Sequence, residues 1–210
     1  MTGELIGYCI NHPGGLRGTN GLAYDYILAR DGVYIQCEGP LLRARIRTAE
    51  ADIRGLEMVS EKIELVHGPI PGFFFKLAVD SMLAMPEKEL FVAVKWDGEA
   101  YRLLVPNQER HGASVTYVPV QGAVLELHSH GRMPAFFSGT DDRDEQGFKI
   151  YAVCGNFDKL QPVLNMRVGV YGYWAPVSWP EIFDGLPPAD VDVGGARSAD
   201  PGEQLPLKQP

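Results

Sequence analysis

The chain has 210 residues, 45% of them hydrophobic and 22% charged, which is the balance of a soluble globular protein built as one large domain or as a small and a medium one. A formal net charge of −8 disfavours a chain-wide nucleic-acid-binding surface. No apolar run reaches the roughly 18–20 residues of a membrane span, so no membrane association is expected.

The N-terminal segment and the cysteines indicate a cytoplasmic protein. The chain opens MTGELIGYCINHPGG, with an acidic residue at Glu4 and without the basic region and long apolar core of a secretory signal. Cys9, Cys37 and Cys154 are odd in number and widely spaced, so they fit neither a disulfide framework nor a CxxC zinc site. We therefore expect a reducing cytoplasm and thiols that are buried or half-buried.

Residues 1–70 are predicted to form a small domain rich in β-strands. Tyr24–Ala29 and Val33–Cys37 flank Asp31-Gly32, a hairpin signal because both turn residues tolerate positive φ. The next run alternates apolar residues with arginines, so a strand would bury one set and expose the other. The apolar set is Leu42, Ala44 and Ile46, and the basic set is Arg43, Arg45 and Arg47. The basic face is either a solvated strand surface or a docking surface for an acidic partner.

A candidate domain boundary and a helix follow. His67–Gly72, HGPIPG, holds two prolines and two glycines in six residues. Phe73–Met85 predicts a helix that ends at Pro86, with apolar residues on two neighbouring stripes. The stripes are Phe74, Leu77, Ala78 and Ser81, and Phe75, Val79 and Met82. Such wide apolar coverage indicates a helix packed deeply against a sheet.

The segment 71–185 is predicted to be a second domain with many strands and few helices. Its candidate strands are Leu90–Trp96, Tyr101–Val105, Ser114–Val118, Ala123–His130, Phe148–Cys154 and Met166–Tyr173. This mixture predicts an α+β domain or an α/β/α layered one. From residue 186 the chain is rich in Pro, Gly, Asp and Ala without aromatic residues, which predicts a disordered tail over 186–210 or a short linear partner motif.

The most informative stretch is Leu125–Asp142, LELHSHGRMPAFFSGTDD. His128 and His130 are two residues apart on a predicted strand, so both imidazoles project from one face and can converge on a metal ion. Ser138 and Asp141 form a Ser-x-x-Asp helix start, in which Ser138 caps the helix and Asp141 lies in its first turn. Two imidazole nitrogens and one carboxylate oxygen leave the fourth position of a tetrahedral zinc site open, as in catalytic sites.

Other families with paired histidines do not fit. A zinc deaminase needs His-x-Glu and a later Pro-Cys-x-x-Cys, and the HExxH peptidase motif is also absent from the sequence. Arg132 and Met133 stand where a metallo-β-lactamase has Asp and His, and Pro134 and Ala135 stand where a cupin has Glu. An amidohydrolase barrel needs typically ~250 residues and further histidines, whereas none follows His130.

The remaining pattern is His-Ser-His, seven residues, Ser, two residues, Asp. It resembles the signature of the JAMM (MPN-plus) zinc metalloprotease family, over a region from about Phe73 to Asp184. The resemblance implies a mixed, curved β-sheet flanked by helices, as in JAMM and cytidine-deaminase folds. It also implies that His128, His130 and Asp141 bind zinc and that Ser138 stabilises the oxyanion formed during hydrolysis.

The family resemblance further implies a glutamate on an earlier strand, which accepts a proton from water and hands it to the leaving amine. Glu89, directly after the helix and Pro86, fits best. Glu87 lies two residues earlier on the same strand face, and Glu126 lies on the face of His128 but further down that strand. Glu87 and Glu126 stay open as alternatives.

One departure from the family concerns the residue after the second histidine. Many members have proline there, whereas this chain has Gly131. The glycine predicts a more mobile loop, which bears on substrate specificity more than on metal binding.

The N-terminal part, Arg167–Trp174 (RVGVYGYW) and Glu181–Phe183 (EIF) resemble the PRTRC branch of bacterial JAMM proteins, which is encoded with ubiquitin-like, activating-type and conjugating-type proteins. The resemblance implies a zinc-dependent peptidase or isopeptidase that cuts at the C-terminus of a ubiquitin-like protein or its conjugates, with the activating-type and conjugating-type proteins as candidate partners. The alternatives are a zinc-retaining scaffold without activity and a RadC-like nucleic-acid-associated protein. The intact ligand set argues against the scaffold, and the acidic net charge against nucleic acid.

Overall fold

The computed structural model describes residues 3–110, 115–117 and 120–194, which contain two mixed sheets and few helices. The strands of the first sheet are β1 (Ile6–His12), β2 (Gly15–Thr19), β3 (Tyr24–Ala29), β4 (Gly32–Glu38), β5 (Leu42–Glu50) and β6 (Lys62–Leu65). Their order is β2-β1-β3-β4-β5-β6, with β1 and β3 parallel and the other neighbours antiparallel. The β-rich character predicted for this part of the chain is confirmed, as is a hairpin between β3 and β4. Its two turn residues are Arg30 and Asp31, because Gly32 pairs with Ala29, and Asp31 does not have the positive φ predicted for it.

Strand β5 shows the predicted alternation of buried and outward side chains. Leu42, Ala44 and Ile46 are buried, and the three arginines between and after them point to the other side. Arg43 lies 3.1 Å from the Glu64 carboxylate, and the Nε of Arg45 donates to the Gln36 side chain at 2.7 Å. The arginine face is therefore paired with acidic and amide groups of its own sheet. A docking role for it stays a prediction.

The second sheet follows the helix α1 (Gly72–Leu83) in the chain. The remaining elements are β7 (Phe91–Trp96), β8 (Tyr101–Leu104), β9 (Gln108–Arg110), β10 (Val115–Tyr117), β11 (Ala123–Ser129), α2 (Gly139–Asp144), β12 (Lys149–Gly155), β13 (Val163–Val170), β14 (Tyr173–Pro176), α3 (Trp179–Ile182) and β15 (Asp192–Val193). The sheet order is β14-β13-β12-β11-β7-β8, with β15 beside β13, while β9 and β10 form a separate pair. Strands β11 and β12 run parallel, so the second sheet is also mixed.

Two strands of the second sheet region differ in extent from the sequence predictions. The strand predicted over Met166–Tyr173 is wrong as a single element, because the chain turns at Tyr171-Gly172, both at positive φ, and divides into β13 and β14. The strand predicted over Ser114–Val118 is represented by Val115–Tyr117, and its two end residues lie outside the described residues.

Helix α1 packs through one stripe only. Its buried residues are Phe75, Ala78, Val79 and Met82. Leu77, which was predicted to belong to the apolar coverage, is 50% exposed. The prediction of wide coverage was wrong on this side, because the helix meets the sheets along a single face and the other face is open to solvent.

A continuous apolar core joins the two sheets and α1. It includes Ile46 of the first sheet, Val92 and Leu127 of the second, and Phe75 of α1. Because side chains alternate along a strand, the face of the second sheet that carries Leu127 is opposite the one that carries His128. We call these the back face and the front face. The first sheet and α1 cover the back face, so the front face is the one left for a functional site.

The ends of the described chain complete the fold. The segment predicted to be a disordered tail from residue 186 includes β15, which pairs with β13 in the second sheet, whereas residues 195–210 lie outside the described residues. All three cysteines are buried, as predicted. Within the described part of the chain, the structure contains no helix with the length and apolar character needed to cross a membrane.

Candidate metal centre

His128 and His130 lie at the carboxyl end of β11, on the front face. Strand β11 is fixed on both sides, because it pairs with β7 on one side and β12 on the other. Ser129, between the histidines, is fully buried, and its hydroxyl oxygen accepts a hydrogen bond from the backbone N–H of Leu90 at 2.8 Å. The N–H of His130 donates to the carbonyl of Cys154 at 2.8 Å. The two imidazoles are therefore held on one side of a fixed strand end, as the spacing predicted.

Gly131 turns the chain sharply after the second histidine. Its φ is +57°, and a Cβ atom there would collide with the carbonyl oxygen of Pro86. Proline has a φ fixed near −65° and cannot adopt this conformation. The backbone geometry therefore explains why this position holds glycine and not proline in this chain. The Gly131 carbonyl accepts a hydrogen bond from the N–H of Phe157 at 3.1 Å, and the Asn165 amide donates to the Ala135 carbonyl at 2.6 Å. The loop for which mobility was expected is thus tied to the sheet.

Ser138 and Asp141 form the helix start that the Ser-x-x-Asp pattern predicted. Ser138 is the N-cap of α2, and its hydroxyl oxygen accepts from the backbone N–H groups of Thr140 at 3.2 Å and Asp141 at 3.3 Å. In return, Asp141 Oδ2 accepts from the backbone N–H of Ser138 at 2.5 Å. This capping box uses one carboxylate oxygen of Asp141 and leaves Oδ1 to point towards the histidines.

The three side chains converge at separations that suit a metal ion. His128 Nε2 lies 3.2 Å from His130 Nε2 and 3.5 Å from Asp141 Oδ1, and one ligand atom from each of the three lies within 4.8 Å of the other two. In a tetrahedral zinc site with bonds of about 2.0–2.2 Å, neighbouring ligand atoms are about 3.3–3.5 Å apart. His128, His130 and Asp141 could therefore hold a metal ion.

The protonation of the imidazoles also suits metal binding. Burial lowers the pKa of His128, opposed by the Asp141 carboxylate and assisted by His130 and Arg167, so the ring is neutral near pH 7. The Nδ1 of His130 lies 3.1 Å from the Pro134 carbonyl, which can only accept a hydrogen bond. The tautomer of His130 that donates to this carbonyl carries its proton on Nδ1 and leaves the lone pair of Nε2 directed to His128.

Glu89 lies beside these ligands. His128 is opposite Phe91 in the β7–β11 ladder, and the hydrogen bond from Ser129 to the Leu90 carbonyl continues that register, which places Glu89 opposite His130 on the front face. Glu89 is buried, and its pKa is raised to about 7, first by burial and second by the nearby Asp141 carboxylate. A carboxyl group in this position can exchange a proton near neutral pH.

The two alternative glutamates have different surroundings. Glu87 is exposed to solvent. Glu126 is buried on the front face, but Lys149 Nζ lies 2.7 Å from its carboxylate, so it forms an ion pair. Of the three glutamates, Glu89 is the one that is both buried and has its pKa raised by Asp141, a candidate metal ligand. Its role as a base stays a prediction.

Sequence reasoning missed two residues that border the site. Glu145, the C-cap of α2, is buried with Oε1 4.0 Å from His128 Nδ1. Arg167 on β13 is also buried, and its Nε and Nη2 both donate to Glu145 Oε2, at 2.9 and 2.6 Å. One signal could have identified Arg167, because a lone charge in the apolar strand VLNMRVGV requires a buried partner.

Neither the protein-family models nor the curated protein sequences compared with this chain give a match. The function proposed for the site therefore depends on its own residues and their geometry.

Proposed function

We propose that this protein is a zinc-dependent peptidase or isopeptidase of the JAMM type. The observation that carries the proposal is the convergence of His128, His130 and Asp141 beside the buried carboxyl group of Glu89. Structural zinc sites take four protein ligands, whereas catalytic sites take three and leave one position to water or substrate. Three is the number that the described residues bring together at this point.

The chemistry divides between the metal and the chain. Zinc held by these residues supplies Lewis acidity, which activates water near neutral pH and polarises a substrate carbonyl. Glu89 takes a proton from the attacking water and returns it to the nitrogen of the C–N bond that breaks. In the metal-free protein, burial and the Asp141 carboxylate raise the pKa of Glu89 to about 7, which brings proton exchange by this group towards neutral pH.

Ser138 has a second role in this proposal. Its hydroxyl oxygen accepts two backbone N–H groups, which orient the side chain and leave the hydroxyl proton to be donated. We assign that donation to the carbonyl oxygen of the substrate, where negative charge builds up as water attacks. The same residue thus caps α2 and stabilises the oxyanion.

The substrate proposal is the flexible C-terminus of a ubiquitin-like protein or of its conjugates, in the cytoplasm, as the JAMM and PRTRC resemblance implies. Two features of the site support an extended, flexible substrate. His130 is buried, so a folded surface cannot reach it and a substrate segment must be narrow. Next to it, the exposed ring of Phe136 stands edge-on to His130 with ring centres 5.0 Å apart, and Met133 is also exposed, which provides an apolar rim.

The first test measures metal content and cleavage together. We expect about one zinc per chain in the wild type and none in the double variant His128→Ala/His130→Ala. The cleavage substrate is a ubiquitin-like protein from the same genome with a C-terminal extension. Glu89→Gln should retain zinc and lose cleavage, while the matched control Glu87→Gln, at an exposed position, retains both.

The outcomes separate the alternatives. Zinc without cleavage in the wild type favours the inactive scaffold, and the absence of metal refutes the central proposal. Binding of DNA that weakens steeply as the salt concentration rises would favour the alternative of a RadC-like nucleic-acid-associated protein.

A further inference from the structure

Helix α2 carries a metal ligand, yet its own contacts cannot hold it in place. It spans six residues, Gly139–Asp144, and none of them is buried. Isolated helices shorter than about 12 residues are marginal in water, because nucleation is costly and few hydrogen bonds repay it. The position of Asp141 therefore depends on bonds from the rest of the protein to the ends of α2.

Those bonds come largely from β13 and β14. Arg167 Nη1 lies 2.7 Å from Asp142 Oδ1, while its Nε and Nη2 bind Glu145 at the C-cap. The Nε1 of Trp174 donates to the Glu145 carbonyl at 3.1 Å. One guanidinium thus binds the helix at two points, one residue after Asp141 and four residues after it.

The environment of Arg167 fixes its guanidinium as a rigid plane. The central carbon of the group lies 3.9 Å from the centre of the Phe137 ring and 4.7 Å from the centre of the Trp174 ring. Aromatic contacts combined with hydrogen bonds from three nitrogens are features of arginine that lysine cannot reproduce, because an ammonium group is a point charge on a flexible stem.

The same network reaches a second ligand. Because both arginine bonds go to Glu145 Oε2, the other oxygen, Oε1, is directed to His128, 4.0 Å from Nδ1. This nitrogen is on the far side of the ring from Nε2, which faces His130 and Asp141. At 4.0 Å the Glu145 carboxyl group is beyond hydrogen-bond distance, so it acts on the ligating imidazole through its charge.

We infer that Arg167 is a positioning residue for the metal centre, which acts on Asp141 through α2 and on His128 through Glu145. The inference rests on the proposed metal site and identifies Arg167 as a residue that controls the zinc affinity of that site. The effect is expected in metal binding itself, so it can be measured without any substrate.

The test uses purified full-length protein, freed of metal with a chelator, in four forms: wild type, Arg167→Lys, Glu145→Gln and Arg143→Gln. Arg143 is the matched control, because it is an exposed arginine of the same helix that contacts Thr140 instead of the sheet. Zinc affinity is measured by competition with a coloured chelator, and the visible absorption of the cobalt-loaded protein reports ligand geometry. Thermal unfolding of the metal-free forms reports stability separately.

We expect Arg167→Lys and Glu145→Gln to bind zinc about 10- to 100-fold more weakly than the wild type and to alter the cobalt spectrum, with Arg143→Gln unchanged. Equal zinc affinity and an unchanged spectrum in folded Arg167→Lys and Glu145→Gln would overturn the inference, even if both are less stable. If Arg167→Lys does not fold, Glu145→Gln decides, since it keeps the arginine. A wild type that binds no zinc refutes the proposed function and this inference together, whereas zinc binding that is insensitive to both variants refutes only the inference.

Discussion

Replacement of Glu89 by glutamine should stabilise the metal-free protein at high pH while it abolishes cleavage. Glu89 is buried beside Asp141, and its pKa is raised to about 7 from the usual 4.5. Between these two pH values, the folded protein therefore keeps a proton on Glu89 that the unfolded chain has released. The contribution of Glu89 to the free energy of unfolding is fully present below pH 4.5 and is lost as the pH rises through 7.

The size of the effect follows from the two pKa values. A shift from 4.5 to about 7 corresponds to about 3 kcal/mol, and the part that falls between about pH 5 and pH 8 is about 2–3 kcal/mol. Glutamine has nearly the same shape and cannot ionise, so Glu89→Gln avoids this loss. The variant should gain that amount over the wild type between the two pH values.

The assay is urea unfolding of metal-free protein at about pH 5 and pH 8. The comparison of wild type with Glu89→Gln cancels the other titrating groups, including Glu145, whose pKa burial also raises to about 7 against the opposing effect of Arg167. Glu87→Gln serves as the surface control and should change stability by less than about 0.5 kcal/mol at both pH values. A gain for Glu89→Gln that is the same at both pH values, or absent, would refute the argument that Glu89 is a desolvated carboxyl group next to Asp141.

Three further predictions concern the cap, the turn and the metal. Ser138→Ala should lower kcat about 10²- to 10³-fold and cost about 1 kcal/mol of stability. Ser178→Ala, at the N-cap of α3, should lower stability without an effect on kcat in the same assays. Gly131→Ala should lower the free energy of unfolding by roughly 1–3 kcal/mol, more than Gly55→Ala, because both glycines have positive φ but only Gly131 has backbone in the space of a Cβ. Zinc at about 100 times its Kd should stabilise the wild type by about 2.7 kcal/mol in thermal unfolding, and His130→Ala should show none of this gain.

The strands of the fold were predictable where local alternation is strong. In β3 the predicted and observed bounds coincide at Tyr24–Ala29. Strand β5 buries the apolar set and turns the arginine set to the other side, where Arg43 and Arg45 are half-buried and Arg47 is exposed. Prediction failed where the tertiary environment decides. Leu77 fits the apolar pattern of α1, but the helix meets the sheets through another face, and the turn at Tyr171-Gly172 interrupts a run that is apolar on both sides.

Part of the candidate site was also predictable from local sequence, and part was not. His128, His130 and Asp141 lie within fourteen residues, so strand and helix periodicity were sufficient to predict that they converge. The position of Glu89 requires the pairing of β7 with β11, and the preference for Glu89 among three glutamates depended on family resemblance. The structure adds that Glu87 is exposed and that Glu126 is paired with Lys149. The contact of Arg167 with α2 joins segments more than twenty residues apart, and no local pattern encodes it.

The arrangement of the two sheets has a consequence for assembly. The arginines of β5 and the imidazole of His128 lie on the sheet faces that point away from the shared apolar core. A protein bound to the arginine face would therefore contact a different sheet from the one that carries the candidate metal ligands.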